Sequence, residues 1–318
     1  MEEQVILAFD VGGTFIKAGA VGPGFAVIEH TVAEYESKSN GTEDEILNHF
    51  IAIIKELIGK VNGGTEIRKT IQGIGFAFPG PFDYDRGISY IRGLNKFEAL
   101  YNVPIGQRLR SMIRNDPMLS MAIDSNSPVV FENDAALFAL GEAADGGAAK
   151  AERAVCLTIG TGLGSAFLEH GRLVKHRPDV PEQGWLYDMP YRDGIADDYV
   201  SRRGILNLAG SMGIGTGNGR DVKELAAAAF AGDDKARELF RRFGAQMGDI
   251  LAEPLRKFQP EVVVLGGQIA KSSALFVPAF TEKLREQGVS VKAEVSGNTL
   301  YSSFKGIYHL CLQKLSRS

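Results

Sequence analysis

The 318-residue chain lacks long apolar runs and has few cysteines. No run approaches the ~20 residues that a membrane-spanning helix needs. Residues Met1 to Gln4 are acidic and polar and lack the basic segment of a signal peptide, so we expect a cytoplasmic protein without a membrane partner. The two cysteines, Cys156 and Cys311, both lie in apolar runs. We therefore expect reduced core residues and no disulfide framework.

An excess of basic residues is also missing. The 35 Lys and Arg residues are outnumbered by 39 Asp and Glu residues, and no basic stretch dominates. A surface that binds nucleic acid needs such a stretch, so we expect no nucleic acid partner. The length is sufficient for two domains of ordinary size with a sizeable core.

Glycine is plentiful, and one glycine turn organises the start of the chain. The stretch VILAFDVGGTFIK (residues 5–17) predicts two strands joined by a tight turn at Gly12 and Gly13. Backbone N–H groups in such a turn can approach an anion closely, because glycine has no Cβ. The turn is flanked by groups that suit a phosphate and its Mg²⁺, namely Asp10, Thr14 and Lys17. An ordinary hairpin, in which the glycines only turn the chain, is the alternative.

A second glycine turn, Gly160-Thr-Gly-Leu-Gly164, follows a predicted strand at 154–159 and precedes another strand. A dinucleotide-binding loop would instead open a helix, and its glycine spacing differs. Because the plan of strand, glycine turn and strand occurs twice, we predict two α/β domains that share a cleft. We place them at residues 1–130 and 131–299, with a C-terminal helix at 300–318 that packs back on the first domain.

Asp134 is a candidate catalytic carboxylate. A predicted strand at 128–131 is followed by Glu132, Asn133 and Asp134 and then by a helix. The positive end of the helix dipole favours an ionised carboxylate. An ionised carboxylate can take the proton of a hydroxyl group as that group attacks a phosphate. The alternative is that Asn133 and Asp134 only cap the helix, a contribution of about 1 kcal/mol.

Taken in order, the motifs resemble those of the ROK family, within the superfamily of sugar kinases, heat-shock proteins and actin. Asp10 to Lys17 resembles the first phosphate motif, Gly160 to Gly164 the second, and VVVLGG (residues 262–267) the adenosine motif. Gly75 to Pro81 and Glu132 to Ala135 narrow the resemblance to ROK proteins. It covers essentially the whole chain. The resemblance implies an α/β fold of two actin-like ATPase (ribonuclease H-like) lobes around a central cleft.

The resemblance also implies roles for individual residues. Asp134 matches the catalytic base of the family. The positions that would contact the sugar are Gly80, Asn133, Asp134 and Glu182. Those that would contact the phosphates or the nucleoside are Thr14, Thr161, Gly162, Gly266 and Gly267, beside the turn residues Gly12, Gly13 and Lys17. Asp10 would organise Mg²⁺ through water.

The chain departs from the family pattern in one region. Many members have Glu-x-Gly-His, whose histidine binds zinc and sugar, followed by a cysteine cluster. Here the residues are Glu182-Gln-Gly-Trp185, and Asp193 to Asp197 occupies the place of the cluster. We therefore expect no structural zinc. Asp197 would replace a second sugar-binding Glu of the family. Trp185 is either a core anchor or an indole that lies against the sugar.

The function that we expect is ATP-dependent phosphorylation of a hexose, with glucose at O6 as the leading candidate and Mg²⁺ as the metal. The family suggests a homodimer. Other acceptors remain open, namely a β-glucoside, N-acetylmannosamine or fructose. Polyphosphate remains open as the donor, because some zinc-free relatives use it. A sugar-binding sensor without catalysis is the alternative from another class of function.

Overall fold

The computed structural model describes residues 4–63, 70–215 and 220–316. The chain forms two compact units, one of residues 1–145 and 300–318 and one of residues 146–299. Residues 317 and 318 of the predicted C-terminal helix lie outside the described part. Within the described ranges, no helix is long and apolar enough to cross a membrane. Each unit combines one five-stranded mixed sheet with helices, so the predicted α/β class is confirmed.

The first unit is built on a sheet of order β3-β2-β1-β4-β7, with a separate β5-β6 hairpin. Its strands are β1 (Val5–Val11), β2 (Phe15–Gly22), β3 (Ala26–Glu36), β4 (Ile71–Ala77), β5 (Phe82–Asp83), β6 (Ile88–Ser89) and β7 (Val129–Glu132). Strands β1, β4 and β7 run parallel, whereas β2 is antiparallel to both of its neighbours. The helices are α1 (Glu43–Asn62), α2 (Ile105–Asn115), α3 (Pro117–Ala122) and α4 (Asp134–Asp145).

Aromatic side chains tie the parallel strands of the first unit together. Phe9, Phe76 and Phe131 occupy matching positions of β1, β4 and β7. Their rings stack with centroids 4.6 Å apart between Phe9 and Phe76 and 5.0 Å apart between Phe76 and Phe131. Large apolar rings of this kind supply much of the burial that stabilises a core. The same register brings the carboxyl ends of these strands, with Asp10 and the start of α4, to one edge of the sheet.

The division between the units follows α4, whereas the predicted boundary lay between residues 130 and 131. Strand β7 pairs with β4, and α4 continues directly from it. Helix α4 is also joined to the C-terminal helix (Thr299–Leu315). The Ser302 hydroxyl donates to Glu142 at 2.6 Å, and the Lys305 ammonium lies 2.7 Å from Asp145. These contacts keep α4 and the last helix in the first unit.

The second unit repeats the sheet plan in the order β10-β9-β8-β13-β14. Its strands are β8 (Arg153–Ile159), β9 (Leu163–Glu169), β10 (Arg172–Val174), β11 (Pro190–Tyr191), β12 (Gly194–Ile195), β13 (Val262–Gly266) and β14 (Lys292–Val295). Its helices are α5 (Ala196–Tyr199), α6 (Arg202–Ser211), α7 (Val222–Phe230), α8 (Asp234–Phe258) and α9 (Val277–Glu286). Each predicted glycine turn joins an antiparallel strand pair, β1 with β2 and β8 with β9, which confirms that prediction.

Candidate active site

The first glycine turn is fixed through its carbonyl groups. The buried hydroxyls of Ser37 and Ser39 both donate to the Gly13 carbonyl oxygen, Ser39 at 2.6 Å. The Ser37 N–H donates to the Thr14 carbonyl oxygen at 3.0 Å, and the Gly12 N–H donates to the Phe15 carbonyl oxygen at 2.9 Å. Among the described residues, the N–H groups of Gly13 and Thr14 have no acceptor. Two free N–H groups in a rigid turn can bind an anion.

The two predicted carboxylates, Asp10 and Asp134, lie close enough in the first unit for the charge of one to act on the other. Asp10 lies near the end of β1, and burial raises its pKa to about 6. The negative charge of Asp134 raises the pKa of Asp10 further, whereas Lys17 lowers it. The side chain of Asp134, the first residue of α4, is reached by solvent. Partial desolvation by the surrounding protein atoms raises the pKa of Asp134, and the N–H groups at the start of α4 and the charge of Lys96 oppose this effect.

Asn133 combines a capping role with a place beside Asp134. Its Oδ1 accepts hydrogen bonds from the N–H groups of Ala135 at 3.0 Å and Ala136 at 3.4 Å, so it caps α4. Asp134 itself accepts the Ala135 N–H at 2.9 Å. The capping alternative is therefore present at Asn133, whose side chain also hydrogen-bonds the Asp134 carboxylate. A capping bond at the first helical turn holds both side chains in fixed positions.

The predicted Gly80 lies next to a residue that the sequence analysis missed. The Tyr84 hydroxyl donates to the Phe78 carbonyl oxygen at 3.0 Å, and a Cβ on Gly80 would lie 3.4 Å from that hydroxyl. The Asn133 side chain hydrogen-bonds the same hydroxyl. Burial raises the pKa of Tyr84, so this hydroxyl stays protonated and polar at neutral pH. Gly80, Tyr84 and Asn133 therefore form one small polar surface beside Asp134.

Two lysines lie near the first turn. Lys17, which the sequence predicted, sits opposite Asp10 in the β1–β2 register, and its ammonium is 3.9 Å from a Glu34 carboxylate oxygen. Lys96, which the sequence analysis did not single out, packs its stem over Gly13. A Cβ on Gly13 would lie 3.0 Å from Lys96 Cδ, so a side chain there would displace the lysine stem by a few tenths of an ångström.

The second glycine turn is held by the segment at α5 and α6. The Gly160 N–H donates to the Gly162 carbonyl oxygen at 3.0 Å, and the Gly160 carbonyl oxygen accepts the Arg202 N–H at 2.8 Å. The Leu163 N–H donates to Asp197 Oδ1 at 2.6 Å. Within residues 4–63, 70–215 and 220–316, the N–H groups of Thr161 and Gly162 have no acceptor. This turn therefore also presents two free N–H groups.

The predicted sugar ligand Asp197 is engaged inside the second unit. Its Oδ2 lies 2.9 Å from the Arg203 guanidinium, and its Oδ1 binds the Leu163 N–H. A Cβ on Gly162 would lie 2.8 Å from Oδ1, so the carboxylate rests directly against the turn. Each oxygen already has a partner, and a role for Asp197 toward sugar stays a prediction.

Glu182 and Trp185 lie on a loop that is attached to β9. The buried Ser165 hydroxyl donates to the Gly184 carbonyl oxygen and accepts the Leu186 N–H, both at 2.8 Å. The Glu182 carboxylate makes no hydrogen bond or ion pair in the described part of the chain. The Trp185 indole is half-buried and lies 5.9 Å from the Tyr187 ring, outside the buried cluster of the second unit.

The predicted adenosine motif, residues 262–267, consists of β13 and the residue that follows it. Gly266 is the last residue of β13, and Gly267 has a φ of +88°, which favours glycine. The Gly267 N–H donates to Thr299 Oγ1 at 2.9 Å. Gly267 also packs on the end of β8, because a Cβ there would lie 2.4 Å from the Ile159 carbonyl oxygen. The motif therefore lies beside the second glycine turn, which begins at Gly160, the residue after Ile159.

No described group of three or more His, Cys, Asp or Glu side chains could hold a metal ion. Residues 193–197, where relatives would have cysteines, form part of the β11–β12 hairpin and the start of α5. The expectation of no structural zinc stays a prediction. Cys156 and Cys311 are both buried, as the prediction of core residues expects.

Comparison with known proteins adds independent findings. A model of the ROK family matches residues 6–296. The chain is 26% identical to a glucokinase of Thermotoga maritima over 308 residues, covering 89% of this chain and 88% of the relative. It is 25% identical to an N-acetyl-D-glucosamine kinase of Vibrio cholerae, covering 84% and 85%. It is also 23% identical to the DNA-binding transcriptional repressor Mlc of Escherichia coli, covering 68% of this chain and 53% of the repressor.

Solved structures share the fold. The ROK hexokinase from Thermus thermophilus superposes with a TM-score of 0.74 at 20% identity, covering 99% of this chain and all of that one. A ROK family glucokinase from Streptomyces griseus, in complex with glucose and AMPPNP, gives a TM-score of 0.68 at 20% identity and covers 97% of this chain and 99% of that one. At these identities the likeness establishes the fold, which agrees with the predicted pair of actin-like lobes.

Proposed function

Because the chain belongs to the ROK family, we propose that it is a sugar kinase that transfers the γ-phosphoryl group of ATP to a hexose, with glucose at O6 as the leading acceptor. One observation carries this proposal. In the first unit, the glycine turn with two N–H groups that lack an acceptor in the described part of the chain follows Asp10, and the charge of Asp134 acts on Asp10. Anion-binding N–H groups beside a base and a metal-binding carboxylate are what phosphoryl transfer requires.

Asp134 is the proposed general base. It takes the proton of the sugar hydroxyl while the sugar oxygen forms a bond to the γ-phosphorus. The bond between that phosphorus and the β–γ bridging oxygen breaks, and ADP leaves. The raised pKa of Asp134 improves its affinity for the proton, while the helix N–H groups and Lys96 keep the ionised form accessible.

Asp10 is the proposed anchor of Mg²⁺, through water. Its pKa of about 6 reflects burial and the nearby charge of Asp134, which Lys17 offsets only in part. A divalent cation would supply the missing charge, and oxygen donors of this kind suit it. Bound Mg²⁺ would neutralise charge on the triphosphate.

Contacts to the sugar are assigned to Gly80 and Asn133 in the first unit and to Glu182 and Trp185 in the second. The free Glu182 carboxylate supports its assignment, because an acceptor without a partner can bind sugar hydroxyls. The nucleotide is assigned to Thr14, Thr161 and Gly162 for the phosphates and to Gly266 and Gly267 for the nucleoside.

The names of the relatives bear on the acceptor. The matched kinases include glucokinases and N-acetyl-D-glucosamine kinases, so the acceptor must be found by experiment. The similar repressor keeps a non-catalytic sugar sensor as the rival from another class. Asp134, Asp10 and both anion-binding turns are intact here, and a sensor that only binds sugar would need none of them.

A coupled assay of ADP release, run over a panel of hexoses with MgATP, tests the proposal. The panel contains glucose, N-acetylglucosamine, N-acetylmannosamine, fructose and a β-glucoside, and a parallel series replaces ATP with polyphosphate. We expect sugar-dependent release with at least one acceptor, and glucose is the leading one. Saturable sugar binding without turnover on any acceptor or donor would instead support the sensor.

A further inference from the structure

Lys96 is held over the first glycine turn by an unusual backbone. Its neighbours Asn95 and Phe97 both have left-handed φ values, +53° and +54°. For a bulky residue such as phenylalanine this conformation is a genuine outlier, and such outliers persist only where the surrounding structure enforces them. Strained segments of this kind cluster at functional sites.

A short chain of contacts fixes this strained segment to the turn. The Phe97 N–H donates to the Ser39 carbonyl oxygen at 2.7 Å, and the Ser39 hydroxyl donates to the Gly13 carbonyl oxygen at 2.6 Å. The Phe97 ring is fully buried, with its centroid 5.3 Å from that of Phe78. The segment that carries Lys96 and the anion-binding turn are therefore one rigid assembly within the first unit.

The Lys96 ammonium has no carboxylate within ion-pair distance anywhere in the described ranges. Some other cations of the first unit do have a carboxylate partner, for example Lys55 with Asp116 at 2.5 Å and Lys60 with Glu56 at 2.7 Å. The charge of Lys96 nevertheless acts on Asp134, where it lowers the pKa of the carboxylate. The stem of Lys96 thus covers the turn with its free N–H groups, and its charge, which has no carboxylate partner in the described part of the chain, acts on the proposed base.

We propose that the Lys96 ammonium binds the phosphoryl group in flight between ATP and the sugar, as a further catalytic residue of the proposed kinase. This inference rests on the proposed function. As the sugar oxygen bonds to the γ-phosphorus and the bond to the β–γ bridging oxygen breaks, negative charge is shared among the equatorial oxygens. A preorganised cation stabilises that charge without reorganising at the moment of reaction. The alternative is that Lys96 only covers Gly13 with its methylene stem.

Lys96→Met separates these two roles, because methionine keeps an apolar stem and removes the charge. We expect a fall in kcat of about 10²-fold, the scale for loss of one preorganised donor. Affinity for a non-hydrolysable ATP analogue should fall about tenfold, whereas affinity for ADP, which lacks the γ-phosphate, should change less than about twofold. Lys96→Arg should restore part of both losses.

Lys38→Met is the matched control. Lys38 is exposed, has a left-handed φ of +50° and lies between Ser37 and Ser39, so its replacement removes a positive charge from a different segment close to the first turn. Its charge acts on Glu45. We expect this variant to match the wild type in kcat and in both nucleotide affinities. Unchanged kcat and unchanged analogue affinity in Lys96→Met would overturn the proposal.

A second measurement uses the wild-type protein and does not depend on how the variants fold. Amine-reactive labelling followed by mass spectrometry should show that the ATP analogue with Mg²⁺ protects Lys96, whereas ADP with Mg²⁺ does not. Equal labelling of Lys96 under both conditions would contradict the inference. If the wild type phosphorylates no sugar, the proposed function fails, and the labelling still reports whether Lys96 meets the γ-phosphate.

Discussion

The two glycine turns follow the same sequence plan, yet groups of opposite charge lie against them. The first turn is fixed by two neutral serine hydroxyls at the Gly13 carbonyl oxygen and covered by Lys96. The second turn has the Asp197 carboxylate against it, bound to the Leu163 N–H. Both turns keep two N–H groups without an acceptor in the described part of the chain. The electrostatic setting of those N–H groups is therefore what distinguishes the turns.

The difference suggests a division of labour. A cation beside free N–H groups strengthens the binding of a phosphate on which charge develops, and Asp134 lies in the same constellation. A carboxylate against the other turn repels a highly charged group, although Arg203 compensates it at 2.9 Å. In the proposed function, the charge at the first turn therefore suits the phosphoryl group that is transferred.

The largest effect is expected from replacing Asp134, the proposed base. Asp134→Asn keeps the size of the side chain but cannot accept the proton, so kcat should fall at least ~10²-fold. Sugar affinity, measured by calorimetry without nucleotide, should stay close to that of the wild type. Near-normal turnover would leave Asp134 as part of the helix start only.

Asp10→Asn tests the proposed role of Asp10 in holding Mg²⁺. The Mg²⁺ concentration for half-maximal activity should rise about tenfold, because an amide is a weaker ligand than a carboxylate. The same substitution should weaken the activity but make the folded protein more stable at neutral pH. The folded-state pKa of Asp10, about 6, exceeds the ordinary 3.8, so the wild type loses stability as the pH rises from about 4 to about 6.

That cost is fully present at pH 7.5 and is at most about 3 kcal/mol for a shift of this size. The asparagine variant avoids it and should have the higher Tm at pH 7.5, with the advantage vanishing near pH 4. Equal Tm values at pH 7.5, measured without Mg²⁺, would contradict the burial of an uncompensated charge at Asp10.

Asp197→Ala tests how the second turn is held. Loss of the carboxylate removes the acceptor of the Leu163 N–H, so the KM for ATP should rise about tenfold while the sugar affinity changes less. Asp197→Asn retains an oxygen acceptor and should lie closer to the wild type. Asp198→Asn is the matched control, because Asp198 also contacts Arg203 but binds the Ile195 N–H. A larger loss of sugar affinity would instead support the predicted sugar contact of Asp197.

The smallest expected effect concerns Trp185, the one tryptophan of the chain. If the indole lies against the sugar, a phosphorylatable sugar should change its fluorescence saturably without nucleotide, and ATP alone should change it less. Trp185→Phe should raise the KM for sugar about threefold and leave that for ATP unchanged. A flat titration with a sugar that the enzyme phosphorylates would make Trp185 an anchor of its loop.

The sequence predicted those features that depend on local pattern. The strand composition of residues 5–17 and the Gly-Gly pair predicted the first turn, and the same pattern predicted the second. Asp134 was found because it follows a strand and begins a helix. Lys96 and Tyr84 were not predicted, because they lie in a segment without periodicity. Their positions depend on contacts made by other parts of the chain, namely Ser39 with Phe97 and Asn133 with Tyr84. The contact of Asp197 with Leu163 joins residues 34 positions apart, and such pairing leaves no mark in a single sequence.

The central claim is transfer of phosphate from ATP to a sugar hydroxyl, and phosphorus NMR tests it most directly. The wild-type protein is incubated with MgATP and the best acceptor of the panel, and the products are followed in one tube. The account predicts a sugar phosphomonoester that appears in a one-to-one ratio with ADP. Release of ADP with an equal amount of inorganic phosphate, or no consumption of ATP with any acceptor, would contradict it.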